Sequence, residues 1–362
     1  MKITRLRTQH VQIPFDKPIR TSIHRVDSIA CVLLQVDTDE GLVGEGLVWS
    51  LGVGRLPVLD AMIHSLAPKV VGRDPHEHAG LWGEMWRDVN FFGHKGITLF
   101  GICAIDMALW DLVGKAHNLS VCRLLGQSRD RVRAYHSGGL WVSLSIDELQ
   151  AEAKDFLAQG YRAMKMRLGK PTVAEDIERV AAVREAIGPE IDLMADANQG
   201  FTVNHAIRMG RALEPYNLVW FEEPVQAYDL AGSARVAAEI DTPIASGETE
   251  YARYGFRDML ERQSADVLMP DLERVGGITE FVKVAHMADA FDIPVSPHLY
   301  TEHCLQLCGA LSNISYSEMM PWFAPLYNEA TELVEGDLLV PDRPGLGFTF
   351  NPDAIGRYRV NA

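Results

Sequence analysis

Three carboxylates, Asp196, Glu222 and Glu248, stand 26 residues apart and then 26 again, and each closes a short apolar or β-branched run. The runs begin at Ile191, Asn217 and Thr242. A buried strand of about six residues, a crossover helix and two short loops together take roughly 25 to 30 residues. The equal spacing therefore predicts one carboxylate at the same height in three successive βα units, at the C-terminal ends of parallel strands, where barrel and open-sheet enzymes keep their chemistry. Three hard oxygen donors converging on one rim suit an octahedral divalent cation such as Mg²⁺, or Mn²⁺, whereas zinc would favour thiolate or imidazole. Any one of these acids also reads as a helix N-cap or first-turn residue. Three in register read as a metal site.

The chain before them divides into two styles. Residues 1 to about 50 read as strands: Cys31 to Val36 and Leu42 to Gly46 flank the turn-rich Asp37-Thr38-Asp39-Glu40-Gly41, a hairpin signal. The proline-rich Ile13 to Ser22 reads as a surface loop. From about Leu56 to Leu125 the apolar spacing turns helical, as in Ile102 to Asp111, and Gly126 stops the last helix. This is an α+β domain over residues 1–125. Beyond Gly126 strand and helix alternate. Ser145-Ile146-Asp147-Glu148 and Thr172-Val173-Ala174-Glu175 are capping-box signatures that open helices.

Strand ends at Ser137, the Lys165-Met166-Arg167 segment, Asp196, Glu222, Glu248, Asp271, His298 and Glu318 number eight, which predicts a closed (β/α) barrel over 126–324 rather than an open sheet. The tail 325–362 is expected to return to the first domain and complete it. Lys165 and Arg167 share one face of a period-two strand, so both point into the bore, where only anions make them tolerable. Asp271 and His298 end adjacent strands and are expected to hydrogen-bond, giving an imidazole of fixed tautomer suited to acid–base work near neutral pH. Glu318 is expected to face Lys165 and Arg167 across the bore.

Lys165-Met166-Arg167, Asp196-Ala197-Asn198, Glu222-Glu223-Pro224, Ser246-Gly247-Glu248, Pro270-Asp271 with Gly276-Gly277, and His298-Leu299 together resemble the enolase superfamily, and within it the mandelate racemase subgroup. Ala104 to Asp111 and Pro344-Gly345-Leu346-Gly347 resemble its N-domain and C-terminal signatures. The resemblance spans essentially the whole chain and implies a modified TIM barrel, an α/β fold with an N-terminal α+β capping domain. It implies Mg²⁺ on Asp196, Glu222 and Glu248 binding a substrate carboxylate, with Asn198 among the substrate contacts. A base would remove the α-proton and the metal would stabilise the enediolate. His298, paired with Asp271, matches the base. Glu318 matches an electrophilic acid that must be protonated, hence a raised pKa.

One position departs from the pattern. Subgroup racemases carry Lys-x-Lys on the second strand, and here the second lysine is Arg167, which stays protonated and is a poor base. That favours one-sided chemistry by His298: dehydration of an aldonate or aldarate to a 2-keto-3-deoxy acid, a metal-dependent hydro-lyase activity. The alternatives are a racemase, epimerase or sugar-lactone cycloisomerase using Lys165 or Arg167 as second base, and, from another class, a non-catalytic carbohydrate-binding barrel. His24, Arg25, Trp49 and Arg55, on loops of the first domain, are candidates for a distal hydroxyl or carboxylate. Arg55 points to a diacid.

Net charge −15 argues against a nucleic-acid or anionic-membrane partner. The five cysteines are odd in number and lack zinc spacing, which suits free thiols in a reducing compartment. The N-terminus lacks an apolar signal-peptide core, and no 18-residue apolar run is expected to span a membrane. A cytoplasmic enzyme acting on a small carboxylate follows, and the resemblance adds a homo-oligomer.

Overall fold

A computed structural model describes residues 1–361. The first fifty residues form an antiparallel sheet of β1 (Ile3–Arg20), β2 (Arg25–Thr38) and β3 (Val43–Ser50), in that order. The hairpin turn falls where its residues predict it. Gly41 takes φ 82°, and the Thr38 amide and hydroxyl both donate to the Leu42 carbonyl. The expectation of a loop over Ile13–Ser22 is corrected, because β1 continues to Arg20. The sheet order puts β1 at an edge, where proline's missing N–H is tolerated, and the pairing slips between Pro14 and Ile19 instead of ending. The long hairpin thereby reaches the barrel, where the Ser22 hydroxyl donates to the Ala197 carbonyl at 2.6 Å.

Behind the sheet lie α1 (Leu56–Val70), α2 (His78–Asp88) and α3 (Ile97–His117). By length and composition α3 could cross a membrane: an 18-residue window has mean hydropathy 1.7, against the sequence expectation of no such run. Its apolar surface is the core of the fold, with 83% of that window buried. β3 lies directly on it because Gly44 and Gly46 carry no side chain. A Cβ on Gly46 would stand 2.3 Å from the Ala104 carbonyl oxygen, and one on Gly44 2.2 Å from that of Ala108. The same helix touches the barrel, where Asp106 accepts from the amide and hydroxyl of Thr279 at 2.8 and 2.6 Å.

After a short α4 (Val121–Leu124), Gly126 at φ 91° releases the chain into the barrel. Its elements are β4 (Arg131–His136), α5 (Ile146–Ala158), β5 (Ala163–Arg167), α6 (Val173–Ile187), β6 (Asp192–Asp196), α7 (Val203–Leu213), β7 (Phe221–Glu222), α8 (Leu230–Glu239), β8 (Ile244–Ser246), α9 (Ala252–Arg262) and β9 (Val267–Leu268). Then come α10 (Leu272–Val275), α11 (Ile278–Asp289), α12 (Thr301–Ala310) and β10 (Ser317–Met319). Both capping boxes form, at Ser145 with Glu148 and at Thr172 with Glu175. Neighbours from β4 to β9 pair in parallel, and β10 pairs in parallel with β4. The seventh position is reduced to bridges from Val295 to Leu268 and Ile314. The ring is closed. Tyr135, Met194, Trp220 and Met269 fill the bore beneath the rim as a packed core.

The tail divides its contacts. The hairpin of β11 (Leu333–Val334) and β12 (Asp337–Leu339) adds antiparallel to β4, while α13 (Pro352–Tyr358) and the Val11–Arg359 bridge join β1. Asp111 ties the tail to the cap: its Oδ1 accepts the Leu346 amide and its Oδ2 the Glu45 amide.

Candidate active site and metal centre

Parallel pairing puts Arg167 opposite Asp196, and Asp196 opposite Glu222. Two of the three carboxylates therefore do share one rung. The third does not: Glu222 pairs with Ala245, and Glu248 lies two residues beyond the end of β8, carried past Gly247 at φ 129°. Equal sequence spacing hides a short strand followed by a turn that brings Glu248 back over the rim. One carboxylate oxygen from each of Asp196, Glu222 and Glu248 falls within 4.8 Å of the others. Trp220, from the plug, fixes Glu222 by donating to its Oε2 at 3.0 Å, and Asn198 fixes Asp196 through its amide and side-chain nitrogen at 2.7 and 3.0 Å.

The residues fit a divalent cation. Burial, together with Asp196, Glu248 and Glu318, pushes Glu222 up to about 8 even though Lys165 opposes the shift. The fit rests on the donor set: three carboxylate oxygens within 4.8 Å of one another are hard ligands of the kind Mg²⁺ takes, and a bound cation would relieve the crowding that raises Glu222.

Lys165 and Arg167 point inward as the period-two pattern predicts. Lys165 Nζ sits 2.6 Å from Glu222, 3.2 Å from Glu318 and 3.7 Å from Asp196. Burial works against its charge, but the Glu222 and Glu318 carboxylates outweigh it and hold the ammonium protonated. Arg167 Nε lies 3.2 Å from Asp196, its Nη2 donates to the Ser137 hydroxyl at 3.0 Å, and its guanidinium rests on the Trp141 ring at 4.8 Å. It is fixed in place by three partners.

Asp271 N-caps α10 through Oδ1, accepting the Arg274 amide, and its Oδ2 lies 2.8 Å from His298 Nδ1. A carboxylate only accepts, so Nδ1 carries the proton and Nε2 is the free nitrogen. Nε2 lies 3.2 Å from Glu248 Oε2, beside the carboxylate cluster. Burial lowers the imidazolium, but Glu248, the Asp271 hydrogen bond and Glu318 together raise it to about 9. The expected raised pKa of Glu318 is corrected. Burial does push it up, but Lys165, His298 and the Leu299 amide, which donates at 2.6 Å, hold it down at about 2. In this arrangement Glu318 is an ionised partner of Lys165.

Above this floor is a cavity of about 140 Å³ between the barrel mouth and the capping hairpin. Of the sequence candidates, His24, Trp49 and Asn198 line it. Arg25 and Arg55 do not. Arg25 is largely exposed and pairs with Asp27, and Arg55 turns back to the Leu51 carbonyl. Both lie in segments that approach the mouth, but their side chains leave on the solvent side, which residue type alone does not reveal. The cavity also exposes Thr21, Trp141, Gln199, Thr249, Arg274 and Trp322, none of them singled out in the sequence. Their signal was position, since most follow a strand end within a few residues. Glu223 is a further wall residue. It is buried, accepts from Gln199 and Thr249 at 2.9 and 3.0 Å, and is pushed well up by burial and by Glu248 and Asp196.

Residues 3–126 match the N-terminal domain family of mandelate racemase and muconate lactonizing enzyme, and residues 148–354 match the enolase C-terminal domain-like family. The chain belongs to the enolase superfamily, in its mandelate racemase subgroup. Within it, the chain is 35% identical to an L-talarate/galactarate dehydratase of Salmonella typhimurium, over 90% of this chain and 82% of that one. It is 34% identical to a D-galactarolactone cycloisomerase of Agrobacterium fabrum, over 99% of each. The structure of an L-talarate dehydratase from Polaromonas sp. JS666, complexed with Mg and L-glucarate, superposes with TM-score 0.94 at 37% identity, covering 99% of this chain and 98% of that one. The enolase-superfamily fold read from the sequence is the observed one.

Proposed function

We propose that this enolase-superfamily enzyme is an acid-sugar dehydratase: it removes the proton α to a sugar acid's carboxylate and eliminates the β-hydroxyl, giving a 2-keto-3-deoxy acid. The observation that carries the reading is the His298 imidazole, anchored by Asp271 at 2.8 Å with its second nitrogen 3.2 Å from Glu248. The dehydratase names among its relatives support the same reading.

Asp196, Glu222 and Glu248 would hold Mg²⁺, or Mn²⁺. Once bound, the ion supplies positive charge beside the substrate carboxylate and offsets the Glu248 charge that raises His298. His298 Nε2 accepts the α-proton, and Asp271 holds the resulting imidazolium. The Cα–H electron pair forms the carbon–carbon double bond as the β C–O bond breaks. The imidazolium returns its proton to the departing hydroxyl, which leaves as water, and the enol tautomerises to the ketone. Lys165, charged and pressed against Glu222 and Glu318, supplies a fixed cation on the other side of the site. Arg167, held by Asp196, Ser137 and Trp141, acts as charge and not as base.

The five cysteines, all buried and free, support a reducing, cytoplasmic setting. A second reading, lactone cycloisomerisation, has the support of the Agrobacterium relative and of a base that serves either reaction. Incubation of the Mg²⁺-loaded enzyme with a panel of acid sugars, followed by semicarbazide detection of α-keto acid, tests the first reading. Keto-acid formation abolished by chelator is the expected result, and lactone conversion without keto acid would favour the second.

A further inference from the structure

Building on the dehydratase reading, we infer that the substrate carries a single carboxylate, and that its far end is a neutral hydroxylated chain or ring seated against Trp49. The cavity has two unlike ends. Its barrel end holds all the arginine: Arg167 lies against Asp196, and Arg274 reaches Asp271 at 3.5 Å and donates to the Glu248 carbonyl at 2.9 Å. Both are committed to the side where the metal and the reacting carboxylate sit. The capping end is formed by Ile23, Leu51, Trp49 and Trp322, with Thr21 and His24 as its polar members. Neither Arg25 nor Arg55 enters it.

A carboxylate brought to this end would leave water for a largely apolar wall with no arginine or lysine, which is unfavourable for an ion and acceptable for a hydroxyl. Trp49 supplies the matching group. Its indole side chain lines the cavity and is nine-tenths buried. The faces of Trp49 and Trp322, with ring centroids 5.5 Å apart, offer apolar surface to the C–H side of a sugar. Trp49 is also held firmly, since its backbone amide donates to the buried Glu273 at 3.2 Å. A diacid is the ligand in the Polaromonas structure, so the inference separates this chain from that relative.

The test compares aldonates and aldarates of matched length and configuration on the Mg²⁺-loaded enzyme. Turnover is measured, and binding is followed by quenching of the tryptophans that line the cavity. The expected result is at least a tenfold preference for the monoacid in kcat/KM and in binding. Equal or better use of the diacid would overturn the inference while leaving dehydration standing. Absence of turnover with every acid would instead overturn the dehydratase reading, and the binding preference would still decide the charge question. Trp49→Phe, which shrinks the indole wall to a single ring, should raise KM for the monoacid about three- to tenfold with little change in kcat. An unchanged KM would remove Trp49 from the proposal. Ile23→Arg places a cation on the half-exposed rim of this end and should improve diacid binding about tenfold. No gain would refute charge as the discriminating feature.

Discussion

Replacing Asp271 by Asn isolates the dyad with little change in shape. Asp271 accepts two hydrogen bonds on its two oxygens, beside the Arg274 guanidinium at 3.5 Å: Oδ1 accepts the Arg274 amide that starts α10, and Oδ2 accepts His298 Nδ1–H at 2.8 Å. Asparagine has one oxygen to serve both. If that oxygen keeps the cap, its NH₂ faces Nδ1 and forces the imidazole proton onto Nε2, the nitrogen needed as base. If it turns to His298 instead, the NH₂ meets the Arg274 amide, two donors with no acceptor, at a cost of about 1–3 kcal/mol. In either case the imidazolium loses a charge-assisted hydrogen bond, a further 1.5–3 kcal/mol or so. The total of about 2.5–6 kcal/mol corresponds to a fall in kcat of roughly 10² to 10⁴-fold. Steady-state kinetics at saturating Mg²⁺, with metal affinity measured in parallel, is the assay. Mg²⁺ affinity should hold within a few-fold, because Asp271 is not among the converging carboxylates. A kcat within threefold of the parent would refute the claim that Asp271 orients the base.

Three other perturbations test separate links. Gly46→Ala drives a methyl group to 2.3 Å from the Ala104 carbonyl, backbone against backbone, and should destabilise the capping domain by about 2–3 kcal/mol in urea melts; a loss under 0.5 kcal/mol would mean that β3 does not need its close seat on α3. Glu222→Gln should abolish the Mg²⁺-dependent rise in Tm, which for the parent reflects about 2.7 kcal/mol at a hundredfold excess over Kd; a retained rise would place the ion elsewhere. Asp37 is held at about 2, chiefly by its hydrogen bond from Arg7 and then by that from Arg5. Because this lies below the ordinary 3.8, Asp37 contributes its stability in full above about pH 4 and loses it as the pH falls through 2. The stability gap between parent and Asp37→Asn, on the order of 1 kcal/mol after allowing for solvent screening, should therefore close between pH 4 and pH 2. A gap constant over that range would contradict the pairing.

Much of the site was legible because its residues interrupt strong patterns. A carboxylate at the end of an apolar run, two cations on one strand face, and an Asp and a His at adjacent strand ends are local signals, and the barrel converts them into neighbours. Glu248 shows the limit of spacing alone: it reaches its partners by a turn beyond a three-residue strand and not by sharing their rung. The prolines of Pro14 to Pro18 read as loop because propensity does not know that β1 is an edge strand. Arg25 and Arg55 were misplaced for a related reason, since whether a loop side chain turns inward depends on contacts made far away in sequence. Glu318 carries the subtlest lesson. Its position was readable, but its charge depends on Lys165 and the Leu299 amide, which only the folded rim brings within reach.

The central claim is that His298 removes an α-proton on one face and that β-elimination follows. Proton NMR of the Mg²⁺-loaded enzyme with an acid sugar in D₂O tests it most directly, with His298→Asn as the paired sample. The account predicts loss of the C2 proton signal, growth of C3 methylene signals of a 2-keto-3-deoxy acid bearing solvent deuterium, and neither change in the variant. Deuterium entering C2 with inversion of configuration and the carbon skeleton intact would contradict it, because that outcome requires Lys165 or Arg167 to deliver a proton to the opposite face.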